Sequence, residues 1–166
     1  MLPGVSVVVE TLLLGVHRRQ LTYRIHLRPL ADDEHPDQAA RMLVGFHDTT
    51  PHDGRMLHST SWRFDAGRIV LTYAALPDPH PATATALVDP PTAAAGTGPT
   101  TPSPATTTAA DIVSHACRHL AFLHHTDPVV AAAAERRAAL WTLIDTYRPG
   151  IAGGLHQPQP RQLSTR

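Results

Sequence analysis

The sequence predicts an α+β fold, an antiparallel meander of about five strands covered on one face by a C-terminal helical hairpin. Three observations support this prediction. The first 76 residues alternate between apolar, strand-like segments and short polar turns. Residues 77–110 hold 8 Pro, 9 Ala and 9 Thr and lack a regular apolar period. Residues 109–147 carry apolar side chains at helical spacing.

The first two strands are predicted from their side-chain patterns. Residues 5–14 are rich in β-branched side chains, and Glu10 is the one charged residue among them. Residues 21–28 alternate between apolar and polar side chains, which is the period of a half-buried strand. The polar turn at 17–20 joins them into a hairpin. We expect the helices to cover the face that holds Leu21, Tyr23, Ile25 and Leu27.

Three further strands are predicted from short segments separated by turns that contain Gly or Pro. The segment before them, residues 31–40, is acidic and contains Pro36, so it is predicted to be a loop. The strands are expected at 41–48, 56–64 and 68–76, with turns at 49–55 and 65–67.

Residues 77–110 are predicted to be a disordered linker within a single domain, because they offer little apolar surface to offset the entropy of ordering. The domain is expected to span 1–148. The segment 149–166 contains Gly and Pro and is predicted to be a flexible tail.

Two helices are predicted from their N-terminal signals. Thr108 with Asp111 three residues later resembles a capping box, which predicts a helix over 109–124. Asp127, followed by proline at the first helical position, predicts a second helix over 128–147.

Composition excludes several classes of protein. Of 166 residues, 14 are Lys or Arg and 14 are Asp or Glu, so the formal net charge is zero, which argues against a nucleic-acid partner. Cys117 is the only cysteine, which excludes a disulfide scaffold. No apolar run approaches the ~20 residues of a membrane span, and no membrane partner is predicted. Because no export signal is recognisable, a cytoplasmic location is expected.

His115 and His119 are a candidate metal site. Residues four apart lie on one face of a helix, and two such imidazoles can chelate a divalent metal ion. The pattern suggests no other cofactor. A further ligand would come from His47 or His58 on the sheet. Both helical histidines fall within the apolar stripe, so the alternative is that they serve packing.

His47 and His58 are candidate catalytic residues. Each begins a His-x-Thr pattern, and adjacent antiparallel strands would bring the two imidazoles together. Two histidines near neutral pH can exchange the roles of acid and base.

The polar face of residues 21–28 is a candidate surface for a small anionic ligand or a protein partner. Arg24, His26 and Arg28 share this face with Thr22, and arginine can bind carboxylate or phosphate through two parallel hydrogen bonds. Trp62, on the same strand face as His58, is a further candidate contact. The alternatives are a solvated face and a packing role for Trp62.

These observations favour a small binding or accessory domain. One alternative is a histidine-based hydrolase or phosphoesterase, with or without a metal, that uses the four histidines above. Another is a pH-responsive binding module, because the chain holds 12 histidines that gain charge on acidification.

Overall fold

A five-stranded sheet with helices on both faces forms the computed structural model, which describes residues 6–47, 53–86 and 107–151. The fold is therefore α+β, as the sequence predicts. In chain order its elements are β1 (Ser6–His17), β2 (Gln20–Pro29), α1 (Pro36–Leu43), β3 (Met56–Asp65), β4 (Arg68–Leu76), a 3-10 turn (Pro81–Thr83), β5 (Thr85–Ala86), α2 (Ala109–Thr126), α3 (Pro128–Glu135) and α4 (Ala138–Ile144).

The sheet is mixed, so the predicted antiparallel meander is wrong. Its strand order is β3-β4-β1-β2-β5. The hairpins β1–β2 and β3–β4 are antiparallel, but β1 and β4 pair in parallel at the centre of the sheet. A parallel pair needs a crossover connection. Here the crossover runs through β2, α1 and β3. The chain therefore crosses to the edge of the sheet where β3 lies before β4 pairs with β1.

The predicted strand at 41–48 is also wrong, because its first residues end helix α1. The imidazole of His35 accepts a hydrogen bond from the Asp37 backbone N–H, and Pro36 occupies the first helical position. Proline suits that position because the first N–H groups of a helix have no partner within it. Ala39 and Ala40 are buried against β1 and β4.

Helices α2, α3 and α4 cover the other face of the sheet. The predicted apolar face of β2 packs there: Leu21 is buried, and Tyr23 and Ile25 are half-buried against the same cluster. Leu27 is the exception, with 54% of its surface exposed. Burial of apolar surface stabilises the fold by about 25 cal/mol per Å². The centre of the cluster holds Leu12, Leu14, Val113, Leu120, Trp141 and Ile144.

Both predicted helix starts are confirmed. The Thr108 hydroxyl accepts from the Asp111 N–H, and the Asp111 carboxylate accepts from the Thr108 N–H. The Asp127 carboxylate accepts the N–H groups of Val129 and Val130 at the start of α3.

The predicted helix over 128–147 is interrupted between α3 and α4. The backbone leaves the helical conformation at Arg137, whose guanidinium donates to the Asp53 carbonyl at 3.1 Å. Gly54 has φ +74°, and an added Cβ there would lie 3.0 Å from the side chains of Arg136 and Arg137. The loop before β3 is therefore docked where the helix breaks.

Part of the predicted disordered linker is built against the sheet. Thr85 and Ala86 pair with β2, and the Asp78 N–H donates to the Leu14 carbonyl at 2.7 Å. An added Cβ at Gly15 would lie 2.9 Å from Asp78 and from Pro81, so this segment passes directly over β1. The rest of the linker, 87–106, and the tail beyond residue 151 lie outside the described residues.

A buried ion pair, Glu10 with Arg63, lies on the face of the sheet that also holds Leu12. Glu10 is 2% exposed and accepts two hydrogen bonds from Arg63, at 2.6 and 2.8 Å. The Thr72 hydroxyl donates to the same carboxylate at 2.9 Å. No helix within the described parts of the chain is both long and apolar enough to cross a membrane.

Candidate functional site

The structure brings two of the four candidate histidines into contact. His58 on β3 and His119 on α2 have their Nε2 atoms 3.1 Å apart, and their ring centres are 5.1 Å apart. His58 is half-buried, whereas His119 is 5% exposed. Because one Nε2 must donate the proton and the other accept it, the neutral pair shares a single proton across the contact between helix and sheet.

Burial favours the neutral form of both imidazoles. Desolvation lowers the pKa of His58, and the carboxylates of Asp127 and Asp37 oppose that shift. Desolvation also lowers the pKa of His119, with His58 adding to the shift and the Gly150 backbone opposing it. At neutral pH both rings are therefore uncharged.

The other two candidate histidines lie elsewhere. His115 is buried one turn before His119 on α2. His47 is exposed beyond the end of α1, so the predicted strand that was to place it beside His58 does not exist. In the described ranges, no group of three or more His, Cys, Asp or Glu side chains is arranged to hold a metal ion.

His58 also forms part of a pocket of about 640 Å³ between α3 and the segment that leads into β3. We call it the arginine pocket, because three arginines line it: Arg41, Arg55 and Arg136. Its volume is typical of a small-molecule site. The rest of the wall, as far as the structure describes it, is mostly apolar, with Asp127 as the one carboxylate. Its apolar residues are Phe46, Met56, Leu57, Leu123, Pro128, Val129, Val130, Ala132 and Ala133.

Each arginine is brought to the pocket by a different local structure. Arg41 lies in the last turn of α1, and Arg136 caps the C-terminal end of α3. Arg55 precedes β3, where its guanidinium lies 5.7 Å from the ring centre of Phe46 and 2.6 Å from the Asp53 carboxylate. Asp127 enters the wall because it caps the N-terminus of α3.

Among the described residues, the wall holds three guanidiniums and one carboxylate, that of Asp127. Arg55 is paired with Asp53 outside the wall. Arg41 forms no ion pair with any described residue. An anion in the pocket would be attracted more strongly than at the surface because the apolar wall lowers the local dielectric constant.

The predicted ligand face of β2 is occupied by other parts of the chain. Arg24 binds the Asp78 carboxylate through two hydrogen bonds, at 2.8 and 3.0 Å, and also the carbonyl of His80. Arg28 pairs with Glu34. His26 lies half-buried beside them. Arg24 therefore binds the segment that follows β4, and Arg28 binds the segment that follows β2.

Trp62 does not lie on the face of His58, which corrects the prediction. A bulge between Ser59 and Ser61 shifts the alternation of β3 by one residue. His58 therefore lies opposite Ala74 on the α2 side, whereas Trp62 lies opposite Leu71 on the α1 side. Trp62 is half-buried there.

Comparison with protein-family models and with curated proteins finds no match to this chain. Its site must therefore be interpreted from its own geometry.

Sequence reasoning missed the arginine pocket. Its side chains come from α1, the start of β3, the end of α2 and α3, so no local spacing pattern connects them. Of the charged residues that line the pocket, the sequence draws attention to Asp127 alone, and it does so as a helix cap. The missed residues are Arg41, Arg55, Asp127 and Arg136.

Proposed function

We propose that this protein binds a small anionic ligand with an apolar part in the arginine pocket. The observation that carries the proposal is the combination of three arginines with an apolar wall in one pocket of about 640 Å³. Guanidinium groups hold carboxylate, sulfonate or phosphate by charge-assisted hydrogen bonds. The apolar wall provides the surface for the rest of the ligand.

Binding accounts for the geometry better than hydrolysis. The hydrolase hypothesis uses four histidines, and His58 alone of them lines the pocket. A small anionic ligand is one of the two partners that the sequence suggests. The sequence places it on the β2 face, whereas we propose that it binds in the arginine pocket. The β2 face is less suited to a ligand, because Arg24 and Arg28 are already paired with carboxylates.

Two matched fluorescent probes test the proposal. Anilinonaphthalenesulfonate carries aromatic rings and a sulfonate, whereas N-phenylnaphthylamine has similar rings and no charge. We expect saturable binding of the sulfonate at one site. Arg41→Gln and Arg136→Gln should each weaken it about tenfold, the equivalent of one charge-assisted hydrogen bond.

The controls separate charge recognition from general apolar binding. Arg68→Gln removes an exposed arginine outside the pocket and should leave sulfonate binding unchanged. The uncharged probe should bind the wild type and both pocket variants alike. Equal sulfonate affinity in the wild type, Arg41→Gln and Arg136→Gln would contradict the proposal.

A further inference from the structure

The contact between His58 and His119 has the dimensions of two ligands of one metal ion. Zinc–imidazole bonds are about 2.0–2.1 Å long, so two nitrogens in neighbouring coordination positions lie about 2.9–3.4 Å apart. The observed Nε2–Nε2 distance of 3.1 Å falls within that range. An ion could therefore replace the shared proton without moving β3 away from α2.

The two rings are close to parallel, with their planes inclined by 17° and their centres 5.1 Å apart.

The surroundings fix one ring and leave the other accessible. His119 is packed beside Phe122, at 6.3 Å between ring centres, and its Nδ1 has no hydrogen-bond partner among the described residues. Packing therefore holds this ring in place. His58 forms part of the wall of the arginine pocket, so the pair is open to solvent on that side.

We propose that His58 and His119 bind a divalent transition-metal ion of the zinc, copper or nickel class through their Nε2 atoms, with the other coordination positions open to water from the arginine pocket. Neutral imidazole is the form that coordinates such ions. Mg²⁺ and Ca²⁺ prefer oxygen ligands, so they are not expected to bind.

This site differs from the one that the sequence predicts. The sequence pairs His119 with His115 on the same helix and suggests His47 or His58 on the sheet as a further ligand, whereas the structure places His119 against His58. The proposal does not depend on an anion in the pocket, because two imidazoles and water suffice to bind the ion.

The first test is a zinc titration of the tag-free full chain and three variants by calorimetry. We expect one zinc ion per wild-type chain, and loss of measurable zinc binding in His58→Gln and in His119→Gln, because each removes one of the two protein ligands. His115→Gln is the matched control, because it removes a buried histidine from the same helix and should retain zinc affinity. MgCl₂ should give no binding heat.

Two results would overturn the proposal. Equal zinc affinity in the wild type and in a folded His58→Gln variant would show that this pair holds no metal. Loss of zinc affinity in His115→Gln, with His58→Gln unaffected, would assign the ion to the helical pair instead. Circular dichroism of each variant establishes whether it is folded.

A second measurement needs no variant, in case a substitution prevents folding. Long-range ¹H–¹⁵N spectra of the histidine rings report each ring nitrogen of the wild type. Zinc should shift the Nε2 signals of His58 and His119 first among the 12 histidines. Earliest shifts at other histidines, such as His124 and His125, would contradict the proposed site.

Because zinc and the sulfonate probe are tested separately, the two proposals can fail independently. Loss of zinc binding with intact sulfonate binding leaves the function of the arginine pocket in place. The reverse result leaves the metal site in place.

Discussion

Glu10 illustrates how single residues depend on distant partners in this fold. The sequence shows it only as a charge within an apolar strand. In the structure its side chain is 3% exposed and that of Arg63 is 12% exposed, and the two form a bidentate pair. A carboxylate can be buried at this depth because it is paired and hydrogen-bonded. Arg63 could not be predicted as the partner, because β3 reaches β1 only through β4.

Replacing either member of this pair should destabilise the protein strongly. Glu10→Leu and Arg63→Leu each leave an unpaired charge in the interior, so we expect each to lower the free energy of unfolding by about 3–5 kcal/mol. The double variant should lose clearly less than the sum of the two. Urea denaturation of the four proteins measures this, and strictly additive effects would show that the pair is not coupled.

The candidate histidines mark the limit of prediction from residue types. The sequence identifies His119 as a metal ligand on a helix and His58 as a catalytic residue on a strand, and it suggests either His47 or His58 as a further metal ligand. Their contact depends on how α2 lies on β3, which no spacing along the chain encodes. In contrast, Thr108 and Asp127 could be predicted as caps, because their partners are within three residues.

At the scale of elements, the sequence predicts best those that local signals define. Both hairpins and both capped helix starts are present where the patterns place them. Helix α1 is not predicted, because Pro36 and the surrounding acidic residues indicate a loop, although proline also suits the first turn of a helix. The break between α3 and α4 was missed because it is caused by a tertiary contact, between Arg137 and the Asp53 carbonyl.

Two substitutions of Asp127 separate its role as a helix cap from its negative charge. Asp127→Ala removes both, and should lower the free energy of unfolding by about 1 kcal/mol because α3 loses its N-cap. Asp127→Asn keeps a capping oxygen and should be close to the wild type in stability. Thermal or urea denaturation of the two variants measures the difference.

Both substitutions remove the carboxylate of Asp127 from the wall of the arginine pocket, where it is the one carboxylate among the described residues. The sulfonate probe should therefore bind both variants about two- to fivefold more tightly than the wild type, the equivalent of a weak repulsion relieved. Weaker sulfonate binding in the stable Asp127→Asn variant would contradict the anion site.

At the scale of the whole molecule, the crossover through α1 creates the site. A meander would have kept successive strands adjacent and placed a strand at 41–48. The observed order instead brings the end of α1 and the start of β3 beside α3, where the arginine pocket forms. The sequence predicted the α+β class, but it expected helices on one face of the sheet only, whereas α1 packs on the second face. Strand order depends on long-range pairing that the alternation of side chains does not specify.

The most direct test of the account is an amide NMR titration of the ¹⁵N-labelled full chain with anilinonaphthalenesulfonate. We predict that the largest shift changes fall on residues lining the arginine pocket, from Arg41, Met56 and His58 to Val130 and Ala133. Changes centred instead on the β2 face predicted from the sequence, or spread without a centre over the core, would contradict the claim that this pocket binds anions.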